Sequence, residues 1–165
     1  MTAKGRMLAL PHERTLHELA RLPLHVGRLN GRPLRFFRAP LAGTHLPWHA
    51  FDDLQACLAL PEDVRAGLKR DLMADWGRDV RTVATVEGIV TIAPHWMAAG
   101  LVGAVAGRVG DDIDLTVAYQ QALFSAWIEL TGDMPAADSL ALLQAALCNM
   151  LADRVRAGFG GGSTA

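Results

Sequence analysis

The sequence predicts an α+β fold: small antiparallel β-hairpins packed with short helices, followed by a carboxy-terminal antiparallel helical hairpin. Three observations carry this. Asn30-Gly31 and Glu87-Gly88 each divide a pair of short apolar stretches, apolar residues recur at helical spacing through 52–60 and 61–76, and two long apolar helical patterns flank residues 131–135.

The amino-terminal segment 1–23 is basic and ends at Pro23; "HERTLHELARL" within it reads as a short helix with Leu16, Leu19, Ala20 and Leu22 on one side. Asn-Gly favours a hairpin turn because both residues tolerate positive φ, which predicts strands over about 24–29 and 33–38. Leu34 and Phe36 then share one face of the second strand, Arg35 and Phe37 the other. "PWHAF" predicts a third strand, leading into the helix "DDLQACLAL" with Asp52 as its N-cap or a first-turn residue and Phe51, Leu54, Cys57 and Leu58 buried.

Pro61, Glu62 and Asp63 open the next helix, whose Val64, Leu68, Leu72 and Trp76 are expected to form a core face before Gly77 ends it. Residues 79–85 and 89–92 form the second hairpin, and Pro94 begins an apolar helix expected to bury Trp96, Leu101 and Val105. The polar joint at 108–112 separates a domain over 24–107 from a helical hairpin over 111–157, and 158–165 reads as a flexible tail. The two helices carry more apolar surface than they can hide from each other, so the surplus must pack on the first unit or on a second chain; Leu123, Trp127, Leu143 and Leu147 are the residues expected at an oligomer interface.

With 51% hydrophobic residues in 165, the chain has the apolar surface for one real core. No apolar run reaches the roughly 20 residues of a membrane span, and the first 30 residues lack a signal-peptide core, which predicts a cytoplasmic protein. Cys57 and Cys148 fit reduced, packed thiols. The net charge of −1 is unevenly spread: residues 1–40 hold eight Lys or Arg against two Glu, a net +6, which leaves −7 for the rest. Such asymmetry points to an anionic partner, nucleic acid being the commonest.

A search for catalytic or metal-binding patterns returns none. His12 and His17 are five apart, not the four of a helical zinc pair; Pro47 lies between His45 and His49; there is no CxxC, Gly-Lys-Ser/Thr or GxSxG. His95, at a helix start, is the sharpest single candidate for acid-base work, but no partner can be assigned to it. It reads instead as a helix-start histidine that caps or bonds to the neighbouring strand. No catalytic residue, metal or cofactor is therefore expected.

The succession "GRPLRFFRAP", "LPWHAFDDLQACLAL" and "VATVEGIVTIAPHWMAAGLVGAV" resembles the amino-terminal domain of BRO proteins and phage antirepressors. Trp48, Asp53-Leu54, Leu58, Leu60, Thr85, Gly88, Gly100 and Leu101 take the places of that family's motif residues over about 24–107. Ala99 stands where the family often has an acidic residue, and the carboxy-terminal helices have no counterpart. The resemblance implies a non-enzymatic DNA-binding module of regulators. Arg28, Arg32, Arg35 and Arg38 on a β-ribbon of a size to enter a major groove agree with it, with Lys69 and Arg70 as further phosphate contacts. The expected function is a homodimeric regulator binding double-stranded DNA; the alternative is an adaptor or antirepressor that grips another regulatory protein through its carboxy-terminal helices. A small-molecule enzyme using His95 ranks third.

Overall fold

A computed structural model describes the backbone of residues 22–109 and 113–160, with side chains placed over 22–106 and 115–155. The helix expected in "HERTLHELARL", apart from Leu22, and the centre of the 108–112 joint lie outside these residues. Strands β1 (His25–Leu29) and β2 (Arg32–Phe37) form the first hairpin. Its turn has φ of +51° at Asn30 and +73° at Gly31, the two left-handed residues that a tight hairpin of this twist requires. Strand β3 (Trp48–Ala50) pairs with β2 on one side and β5 on the other, and β4 (Arg81–Thr85) with β5 (Gly88–Ala93) makes the second hairpin. All pairings are antiparallel, in the order β1-β2-β3-β5-β4. The short β3 therefore welds two hairpins into one sheet. As its central strand it is covered on both faces, and every residue from Leu46 to Phe51 is buried.

Helix α1 (Phe51–Cys57) follows β3 with no intervening loop. Its cap position is Ala50, without a side-chain bond; of the two places expected for Asp52, the structure has the first turn, where the helix dipole favours a carboxylate. The expected burial of Phe51, Leu54, Cys57 and Leu58 is found. Helix α2 (Glu62–Trp76) departs from expectation: only Leu72 is buried, Leu68 and Trp76 are half-buried, and Val64 is exposed. A strict four-residue repeat drifts about 40° per step around a 3.6-residue helix, so Val64 and Trp76 point about 120° apart and cannot share one buried stripe.

Helices α3 (His95–Val109), α4 (Ile113–Thr131) and α5 (Ala136–Gly160) complete the fold. The last runs into the glycine-rich segment expected to be tail, so that expectation is corrected up to Gly160. Leu115, Tyr119, Ala122, Leu123 and Ala126 of α4 share the main core with Leu29, Leu34, Phe36, Leu54 and Val102. Gly27 of β1 permits this closeness, since a Cβ there would stand 3.0 Å from that of Ala122. A smaller cluster holds α5: Ala146, with Leu142, Leu143 and Met150, packs on Leu46 and on Trp127 and Leu130 of α4. Asn149 Nδ2 donates to the Thr44 carbonyl at 2.7 Å across 105 residues.

Trp96, expected as a core anchor, is half-buried and meets Trp76 edge to face at 5.2 Å, whereas Trp127 is 3% exposed. Trp127→Ala is therefore expected to cost about 3–5 kcal/mol in urea unfolding, and Trp96→Ala at most about half as much. Equal losses would contradict the packing described.

Candidate functional site

The pairing of β1 with β2 sets where the four hairpin arginines point. Val26 lies opposite Arg35 and Arg28 opposite Pro33, so Arg28 and Arg35 emerge on one face. Arg32, opposite Leu29, belongs to the other, and Arg38 follows the end of β2, six residues or about 20 Å along the strand direction.

Arg35 is committed within the fold. Its Nε and Nη2 donate to the two oxygens of Asp53 at 2.7 and 2.8 Å, and its Nη1 donates to Glu87 at 2.6 Å. Asp53 also accepts the Arg35 backbone N–H at 3.1 Å. The local reason is that β3 pairs with β2 only at Phe36 and Phe37 before α1 begins. The Asp53 carboxylate, in the first turn of α1, meets the N–H that a longer β3 would have faced. Arg35 thus ties β2, α1 and the β4–β5 turn together, with the Arg35 and Asp53 side chains only 20% and 15% exposed.

The other basic candidates are also distributed. Arg28 Nη1 donates to the Gly31 carbonyl at 3.2 Å, and Arg32 and Arg38 are exposed. Lys69 Nζ donates to both oxygens of Asp52 at 2.8 Å, and Arg70 lies 3.7 Å from Asp71. The expected single basic ribbon of Arg28, Arg32, Arg35 and Arg38 is not assembled. Sequence position fixed their strand but not the carboxylates around them.

The expected interface residues divide in the same way. Leu123 and Trp127 point inward and are 9% and 3% exposed, and Leu143 is half-buried in the cluster under α5; only Leu147 faces out. Leu123 and Trp127 are corrected to core residues, because the sheet and the loop before β3 cover that side of α4. Both helices nonetheless carry a second apolar ridge on their outer sides. Val117, Phe124 and Ile128 form it on α4, and Leu140, Leu147, Leu151 and Val155 on α5; all are 40% exposed or more. No charged residue occurs from Leu115 to Ile128 or from Ser139 to Ala152, two runs of 14 residues.

A third grouping escaped the sequence reading. His95 Nδ1 lies 2.9 Å from the Tyr119 hydroxyl, and the two rings stack at 5.5 Å; His49 meets the Tyr119 ring edge-on at 6.4 Å. The His95 bond therefore goes to α4 and not to the strand expected. His49 and Tyr119 are fully enclosed, and neither His49 ring nitrogen has a hydrogen-bond partner among the described residues. Burial lowers His95 to about 4; burial, then the charge of a protonated His95, lowers His49 to about 3; burial raises the Tyr119 hydroxyl. The three rings act as neutral core material. The detectable signal was the central-strand run "LPWHAF", which forces His49 inward. Among the described residues no group of three or more His, Cys, Asp or Glu could hold a metal. His45 bonds to the Ala42 carbonyl at 3.0 Å and lies 3.7 Å from Asp153.

No family model, curated protein or solved structure matches the chain.

Two outcomes follow from this geometry. Asp53→Ala strips a half-buried guanidinium and a backbone N–H of their acceptor and is expected to cost about 1–3 kcal/mol, with Arg35→Lys intermediate because an ammonium cannot make the two-pronged contact. An unchanged urea midpoint in Asp53→Ala would show the clamp to be dispensable. Secondly, His49 and His95 bind protons more weakly folded than unfolded, so stability is complete above pH 6.5 and falls as pH drops from 6.5 toward about 3–4. The slope is up to about 1.4 kcal/mol per pH unit for each histidine, and His49→Phe should remove one share. A flat profile between pH 6 and 4 would contradict the enclosure of both rings.

Proposed function

We propose that the chain is a non-catalytic association module that works as a homodimer, joined through the outward ridges of α4 and α5. The two uncharged 14-residue runs carry this reading. A helix that already buries one stripe normally turns a charged face to water, whereas here the outer faces hold Phe124, Ile128, Leu140, Leu147 and Leu151. Depletion of charge around large apolar side chains is the composition of an interface centre. With 19 and 25 residues, the helices run about 28 and 37 Å, long enough for a standard interface. A second copy is the occupant that meets each ridge with the same chemistry, as twofold pairing requires.

A second reading retains duplex DNA as partner. Exposed Arg28, Arg32 and Arg38 favour it, as does the resemblance to the BRO amino-terminal domain, and a twofold axis would present each basic hairpin twice.

Sedimentation at micromolar concentration is expected to give a dimer, and Phe124→Glu with Leu151→Glu a monomer of unchanged circular dichroism. A wild-type chain that stays monomeric at 100-fold higher concentration would sink the homodimer and leave a heterologous protein as the occupant. For the second reading, DNA binding should weaken steeply with salt and be lost in the Arg28→Ala, Arg32→Ala, Arg38→Ala triple variant. Absence of binding at low salt ends it.

A further inference from the structure

A groove of about 480 Å³ opens between α2 and α3. Leu68, Leu72 and Trp76 of α2 form one wall, and Trp96, Met97 and Leu101 of α3 the other. Its size falls within the range of small-molecule sites. The groove lies where the contact between the two helices is incomplete. Leu72 of α2 is buried against Met97, with Trp76, Trp96 and Leu101 packed around them, but Leu68 and Trp76 remain only half-buried. At Gly100, a Cβ built on the backbone finds no atom within 4 Å, so the wall of α3 is open at that point.

The polar groups at this groove are few and unequal. Asp71 and Asp75, one helical turn apart, bring two carboxylates, and Arg154 of α5 brings one guanidinium. Arg70 and Asp71 lie 3.7 Å apart with side chains 78% and 67% exposed, so their pairing is weak and solvent-screened, and Asp71 stands at the groove's open rim. The half-buried Trp76 and Trp96 rings add negative π faces, which attract cations. We infer that this groove binds a small molecule with an apolar body and one cationic group, its body between the tryptophans and Met97 and its charge toward Asp71 and Asp75. The chemistry is that of an arylalkyl amine. The inference does not rest on the association proposed above, although Arg154 at the groove's edge is a neighbour of Leu151 and Val155 on α5.

The test uses the full chain and three probes of one shape: 4-phenylbutylamine, 4-phenylbutanol and 4-phenylbutyrate. Binding is followed by NMR shifts of the Trp76 and Trp96 indole N–H groups. The amine is expected to bind at least about tenfold more tightly than the carboxylate, with the alcohol between. Asp71→Asn with Asp75→Asn should bring the amine down to the level of the alcohol, a change that leaves the apolar walls intact. Gly100→Leu, which fills the open wall, should remove all three. Circular dichroism checks that each variant is folded, and Asp75→Asn alone serves if Gly100→Leu is not. Equal affinity for the three probes, no shifts at millimolar amine, or binding that survives Gly100→Leu in a folded chain overturns the inference. So does a change in sedimentation caused by Gly100→Leu without any probe, which would make the groove a protein interface.

Discussion

The Arg35–Asp53 clamp is the contact on which the arrangement of the sheet turns. Strand β3 has three residues, too few to pair β2 along its length, and the chain leaves it directly into a helix. A buried N–H in a sheet cannot be left without an acceptor at small cost. Asp53 supplies that acceptor and at once holds the side chain of the same residue, while Glu87 draws in the far hairpin. One carboxylate thus substitutes for the missing length of a central strand. The Glu87 arm, with its side chain 71% exposed, contributes less than the Asp53 fork.

How much of this was legible in the sequence varies with the range of the interaction involved. The first hairpin was, because Asn30-Gly31 encodes its turn locally, and so was the second through Gly88. The union of the hairpins was not, since it depends on β3 pairing both ways, and three residues carry no periodicity. Arg35 illustrates the same limit in the site: a run of arginines announces positive charge, but its partners lie 18 and 52 residues away. Tyr119 likewise meets His95 across 24 residues. In α2 the failure was one of period, because a four-residue repeat looks like a stripe and winds like a thread.

The carboxy-terminal helices show the converse. Their apolar surplus was readable, yet periodicity alone assigned the wrong side of α4 to the interface. A helix with apolar residues on two opposed sides gives no internal sign of which one faces the sheet. Burial decides: Tyr119, Leu123 and Trp127 are taken by the core, and Phe124 and Ile128 are left over. Leftover surface of this kind, flanked by Gln and Ser instead of charge, is what links packing to the association proposed for the chain.

The way α5 is held has a wider implication. Among the described residues it packs through a small cluster around Ala146, approaches α3 and is tied to the loop before β3, and a short turn through Gly132, with φ of +55°, connects it to α4. Its cradle, made by Leu46 and Trp127, has no means of telling its own terminal helix from that of a neighbouring copy. Exchange of that arm between two chains would reproduce the contacts of this cluster, so it is the turn through Gly132, and not the cradle, that decides whose arm is held.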